Sequence, residues 1–161
     1  MSYVYVGFSH DDKDFISIVM SWLTFGEYTH VVLINRDKTE FIEASGKNSP
    51  RGVRKRPIKD FLNFPNSIIR RIRCDNPDSV WELALSQVGK GYDWLWVLGW
   101  VLRSPKFSRK DKWTCAELVA WSFSKCTGAL FVGEYLWWIY PHLIYMISDP
   151  DTLESENGNT K

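Results

Sequence analysis

His30-Val31-Val32-Leu33-Ile34-Asn35-Arg36-Asp37-Lys38-Thr39-Glu40-Phe41-Ile42-Glu43-Ala44 contains two strand-like runs separated by a short polar turn. The first run is β-branched and apolar, and the second mixes apolar and acidic residues, so the stretch reads as an antiparallel hairpin. With a tight turn over residues 35–38, Ile34 faces Thr39 and His30 lies directly opposite Glu43 on the same face. Cross-strand neighbours of that kind have Cβ atoms about 5 Å apart. A carboxylate so placed can fix an imidazole tautomer and stabilise the imidazolium. A one-residue change in loop length would send the two side chains to opposite faces. Taken singly, His30 is an ordinary strand-start histidine and Glu43 a solvated edge carboxylate.

A base of this kind needs a nucleophile, and Trp113-Thr114-Cys115-Ala116-Glu117-Leu118-Val119-Ala120-Trp121 supplies one. Thr114 stands at the N-cap position and Glu117 three residues on completes a capping box. Cys115 then falls in the first helical turn, where backbone N–H groups lack partners and the helix dipole favours negative charge. That setting favours the thiolate, the nucleophilic form of cysteine. The ordinary alternative is a buried structural cysteine under a well-capped helix. Two other histidines compete for the role of base. His10 lies in Ser9-His10-Asp11-Asp12, a polar cluster that caps the following helix, and His142 follows Pro141 in an aromatic stretch that reads as packing.

Outward from these two segments the chain holds further strands and helices. Residues 3–8 read as an opening strand, followed by a helix carrying Phe15, Ile18, Val19, Trp22 and Leu23 at helical spacing. Two more strands follow the hairpin, over 52–56 and 67–74, with a short helix or loop over 58–64 between them. Pro77 opens a helix bearing Trp81, Ala84, Leu85 and Val88, stopped by Gly89. Further helices are expected over 94–102 and 115–125. Strands cluster in the first half and helices in the second, which is an α+β pattern. Residues 1–148 form one domain, and 149–161 read as a polar tail.

Composition narrows the function. A chain of 161 residues with formal net charge +1 can bury a real core but carries no global field toward nucleic acid. No nucleic-acid partner is expected. Three cysteines, an odd number without framework spacing, argue against a disulfide scaffold and fit a reducing compartment. No ligand spacing for a metal appears, and no cofactor motif. The chain opens without a basic region followed by an apolar stretch, which predicts no signal peptide and a cytoplasmic location as synthesised. A phage-encoded protein released at lysis would still reach the cell wall. The apolar stretch over 94–102 is too short to span a membrane, and 129–147 is interrupted by Gly133, Glu134, Pro141 and His142. No transmembrane helix is expected, although nine Trp residues leave membrane contact open. Basic groups gather at Arg51, Arg54, Lys55, Arg56 and Lys59, at Arg70, Arg71 and Arg73, and at Lys106, Arg109, Lys110 and Lys112. They read as solvated faces, or, if they converge on a cleft, as a preference for an anionic substrate.

Three segments together resemble the permuted papain-like fold of the NlpC/P60 superfamily, in the group of YiiX-like and LRAT-like cysteine hydrolases. They are Tyr28-Thr29-His30-Val31-Val32, then Phe41-Ile42-Glu43-Ala44 leading to Gly52-Val53, then Tyr92-Asp93 leading to Cys115-Ala116-Glu117-Leu118-Val119. The His strand precedes the Cys helix, as in the permuted group. Thr29 and Ala116 stand where the family usually has Ser. The resemblance covers about residues 4–147 and implies an antiparallel sheet packed against helices. It also implies Cys115 as nucleophile, His30 as general base, Glu43 as orienting acid, and Tyr28 and Tyr92 lining the site or its oxyanion pocket. The reaction it implies is hydrolysis or acyl transfer through a thioester, on a peptide, a peptidoglycan fragment or an acyl lipid. A catalytically inactive peptide- or lipid-binding module of the same fold is the alternative.

Overall fold

Continuous burial along the central strands, with side chains alternating between two sides, builds two apolar faces from one sheet. The computed structural model describes residues 2–13, 15–47, 50–95, 111–126 and 139–151. In chain order its elements are β1 (Tyr3–Ser9), α1 (Phe15–Thr24), β2 (His30–Ile34), β3 (Glu40–Ser45), β4 (Gly52–Pro57), α2 (Ile58–Leu62), β5 (Ile68–Arg73), α3 (Pro77–Leu85), β6 (Gly91–Tyr92), β7 (Lys112–Trp113), α4 (Cys115–Ser122), a 3-10 turn (Phe123–Lys125), α5 (Pro141–Met146) and β8 (Asp149–Pro150). The larger sheet is antiparallel with order β4-β3-β2-β1-β5-β8, and β6 pairs with β7 in parallel. The α+β reading therefore holds, although helices and strands interleave more than the sequence pattern suggests.

Val31, Leu33, Ile42 and Ala44 face the main core with Leu118, Val119 and Ala120 of α4. Val32, Ile34 and Phe41 face the other way, onto Phe61 of α2. This split follows the two-residue period of a strand. Helix α4 is buried through Cys115–Ala120, which requires apolar or paired side chains all round. It packs on β2, β3 and α3. Helix α1 differs from the expectation of a core stripe at Ile18 and Trp22, which point to solvent, Trp22 with 73 % of its surface exposed.

The hairpin register is a correction. Leu33 pairs with Ile42 and Ile34 with Phe41, so Ile34 does not face Thr39. The cause lies in Asn35, whose backbone N–H donates to Glu40 O at 3.0 Å while its side-chain Oδ1 accepts from the Thr39 and Glu40 N–H groups. Asn35 thus closes the ladder, and the loop moves one residue along the chain. Because both strands move together, the total slip is even and side chains keep their faces. His30 and Glu43 become diagonal neighbours on one face, still within reach of long side chains.

Two further expectations are revised. Cys74 and Cys126 form a disulfide across a sequence separation of 52, which leaves Cys115 as the free cysteine. Spacing alone did not reveal this bridge, because the two sulfurs meet only when the end of β5 and the end of the 3-10 turn are packed together. Residues 149–151, expected within a polar tail, belong to the fold, since β8 pairs with β5 and Asp151 is buried in an ion pair with Lys38. The helix expected over 94–102 begins at Trp94 and Leu95; its remainder, the stretch 127–138, Lys106, Arg109, Lys110 and residues 152–161 lie outside the described residues. Among the described residues no helix is long and apolar enough to cross a membrane.

Candidate active site

The first turn of α4 is built as the sequence predicts. Thr114 Oγ1 accepts from the Glu117 N–H at 3.3 Å, and Glu117 Oε2 accepts from the Thr114 N–H at 3.2 Å. The Thr114 hydroxyl also donates to the same Glu117 oxygen at 2.9 Å. Glu117 is therefore occupied by the cap, and Cys115 is held at the first helical position. Its residue surface is 7 % exposed.

Strand β2 brings His30 to the same place. His30 Nε2 lies 2.7 Å from Glu43 Oε2, which leaves Nδ1 as the ring nitrogen for other partners. Burial pulls the His30 pKa down, but hydrogen bonding with the Cys115 side chain and with Glu43, and the charges of both, outweigh it and raise it to about 10. The imidazole is thus held as imidazolium at neutral pH. Burial likewise opposes ionisation of Glu43, yet the bond to His30, the His30 charge and Arg54 lower its pKa to about 2. Glu43 is 1 % exposed, and a carboxylate buried so deeply persists as an anion only when its oxygens are paired. Its second oxygen, Oε1, accepts from Arg54 Nε at 2.8 Å and from Arg56 Nη1 at 3.1 Å.

The short β6–β7 pair positions the remaining wall. Asp93 N–H donates to Trp113 O at 3.1 Å, which sets Tyr92 beside the start of α4. Gly52, at φ 123, lets the backbone of β4 approach the chain before β6 so closely that an added Cβ would sit 2.2 Å from Lys90 O. Val53 N–H then donates to that same carbonyl at 2.8 Å. Burial, and then the charges of Cys115, Glu117 and Asp93, push the Tyr92 phenol upward, so it stays a protonated donor.

Cys115, His30, Glu43 and Tyr92 line one cleft of about 290 Å³. Met20, Phe64 and Trp94 give it an apolar wall, and Arg54 and Arg56 a basic corner. Tyr28, expected to line the site, lies instead in the core, its ring tilted against that of Tyr145 with centroids 4.6 Å apart and near Phe8. His10 pairs with Asp12 at 2.6 Å, and His142 stacks on Tyr145 at 5.4 Å; neither lines the cleft. The sequence placed Arg54 and Arg56 in a basic group, read as a solvated face or as a cleft-side preference for an anionic substrate, but did not reveal their contact with Glu43. The signal that finds them is their alternate spacing on a strand beside Glu43.

Comparison with family models, with curated proteins and with solved structures finds no match to this chain. The functional reading therefore rests on the site's own chemistry.

Proposed function

We propose that this protein is a cysteine-dependent hydrolase or acyltransferase with a permuted papain-like fold, acting through Cys115, His30 and Glu43. One observation carries the reading: a half-buried imidazole stands between a helix-start thiol and an ionised carboxylate, at the wall of a cleft. Nucleophile, base and orienter in contact are the constellation that covalent catalysis needs. The order of His strand, acid strand and Cys helix along the chain also supports the permuted arrangement.

The reaction begins from a Cys115 thiolate beside the His30 imidazolium. The sulfur attacks a carbonyl carbon, and the C–O π electrons move to oxygen. That oxyanion is met by the Cys115 backbone N–H in the first helical turn and by the protonated Tyr92 hydroxyl. Collapse of the adduct expels the leaving group, which takes its proton from His30, and a thioester remains on Cys115. His30, now neutral, accepts a proton from water or another acceptor, which releases the acyl group and returns the ion pair.

The cleft walls support a substrate with an apolar part. Met20, Phe64 and Trp94 suit an apolar segment next to the scissile bond. A peptide amide of a peptidoglycan-type stem and an acyl lipid both present such a carbonyl. The alternative, an inactive module that holds a peptide or lipid in the same cleft, draws on the burial of Cys115. Incubation with a panel of activated acyl esters and thioesters, followed by intact-mass and peptide mapping, separates the two. An acyl adduct on Cys115 that accumulates and then hydrolyses is expected; a chain left unmodified by every ester contradicts catalysis.

A further inference from the structure

Glu43 receives more positive charge than a triad acid needs. His30 occupies one oxygen, and two guanidinium groups converge on the other. Strand pairing explains the convergence: Glu43 is the direct cross-strand partner of Arg54, and Arg56 pairs with Phe41, one step along the same face. Lys55, between them, points to the opposite face and pairs with Glu40 at 2.7 Å. Arg56 is itself fixed, because its Nε and Nη2 donate to Asp60 Oδ2 at 3.2 and 3.1 Å and its guanidinium stands 5.5 Å from the Phe41 ring centre. Neither arginine belongs to a solvated face, with side chains only 15 % and 28 % exposed.

We propose that Arg54 and Arg56 are positioning residues that keep Glu43 ionised and its free oxygen aimed at His30 through both halves of the catalytic cycle. The proposal rests on the Cys–His–Glu reading above and adds a fourth layer to it. When His30 gives its Nδ1 proton to the leaving group, Glu43 loses its imidazolium partner. A buried carboxylate left alone at that moment would raise its proton affinity and compete for the same proton. Two guanidiniums, which do not deprotonate, hold Oε1 whatever the state of His30. With Asp60 on Arg56, the two arginines and two carboxylates balance among themselves. The proton is thereby directed outward to the leaving group rather than inward to Glu43.

The test compares wild type with Arg54→Gln, Arg56→Gln and the corresponding Lys variants by two measurements. The first follows the Glu43 side-chain carboxyl by ¹³C NMR as pH is lowered. The second follows the pH dependence of Cys115 alkylation by iodoacetamide. Each Gln variant is expected to move the Glu43 titration upward by about 1–3 pH units, and the acid limb of alkylation upward with it. Lys, which keeps the charge, should recover most of both shifts. A Glu43 titration unmoved in the Gln variants would overturn the proposal. So would an alkylation limb unmoved while only the melting temperature falls, since that describes a structural role. If Arg54→Gln does not fold, the more exposed Arg56→Gln decides the matter. Slow wild-type Cys115 alkylation, indifferent to His30→Ala, would instead sink the catalytic reading, and the carboxyl titration would still decide whether the arginines hold Glu43 ionised.

Discussion

His30 and Glu43 shift in opposite directions from ordinary values of 6.5 and 4.5, to about 10 and about 2. Their contributions to stability therefore have a defined window. A histidine whose folded pKa is raised stabilises fully below pH 6.5 and loses that contribution as pH rises through about 10. A glutamate whose folded pKa is lowered stabilises fully above pH 4.5 and loses it as pH falls through about 2. The pair is thus at full strength between those ordinary values. Urea unfolding of wild type and Glu43→Gln should show the largest stability gap near about pH 5.5, narrowing toward both extremes. A gap independent of pH would contradict the pairing. At this scale Thr114, Cys115 and Glu117 were legible because a capping box is a local pattern. The clamp on Glu43 was not, because Arg54 and Arg56 become neighbours of Glu43 only through strand pairing.

Whole strands were legible from β-branched runs and turn residues, and β2 matches its expected span. The register was not, because Asn35 carries both a backbone and a side-chain means of ending the ladder, and propensity does not choose between them. The candidate pair survives the slip only because it is even. A second element-level constraint sits in β1, where an added Cβ on Gly7 would lie 2.4 Å from Phe61 Cζ and 2.8 Å from Val32 Cγ2. Phe61 and Val32 are fully buried and have nowhere to move. Gly7→Ala should therefore destabilise by about 1–3 kcal/mol through overpacking, read as a lower denaturation midpoint. An unchanged midpoint would show that α2 does not seat on this sheet as described.

At the scale of the molecule, the disulfide ties the end of β5 to the 3-10 turn that follows α4. Closing a loop of 52 residues restricts the unfolded chain, for a stabilisation of about 4 kcal/mol. Urea unfolding should show a loss of that order for Cys74→Ser/Cys126→Ser, and thiol titration of the unreduced, unfolded chain should find Cys115 alone. A stability unchanged by the double substitution would remove the bridge from the account. This long-range tie was illegible in the sequence for the same reason as the clamp: it depends on which ends the fold brings together.

The central claim is that Cys115 is activated by His30. Alkylation of each cysteine by iodoacetamide across pH, with peptide mass mapping in wild type and His30→Ala, tests it most directly. Fast Cys115 labelling that persists below about pH 7 and is lost in His30→Ala is the predicted result. Slow labelling of Cys115, unchanged by His30→Ala, would contradict the claim and leave the cleft as a binding site.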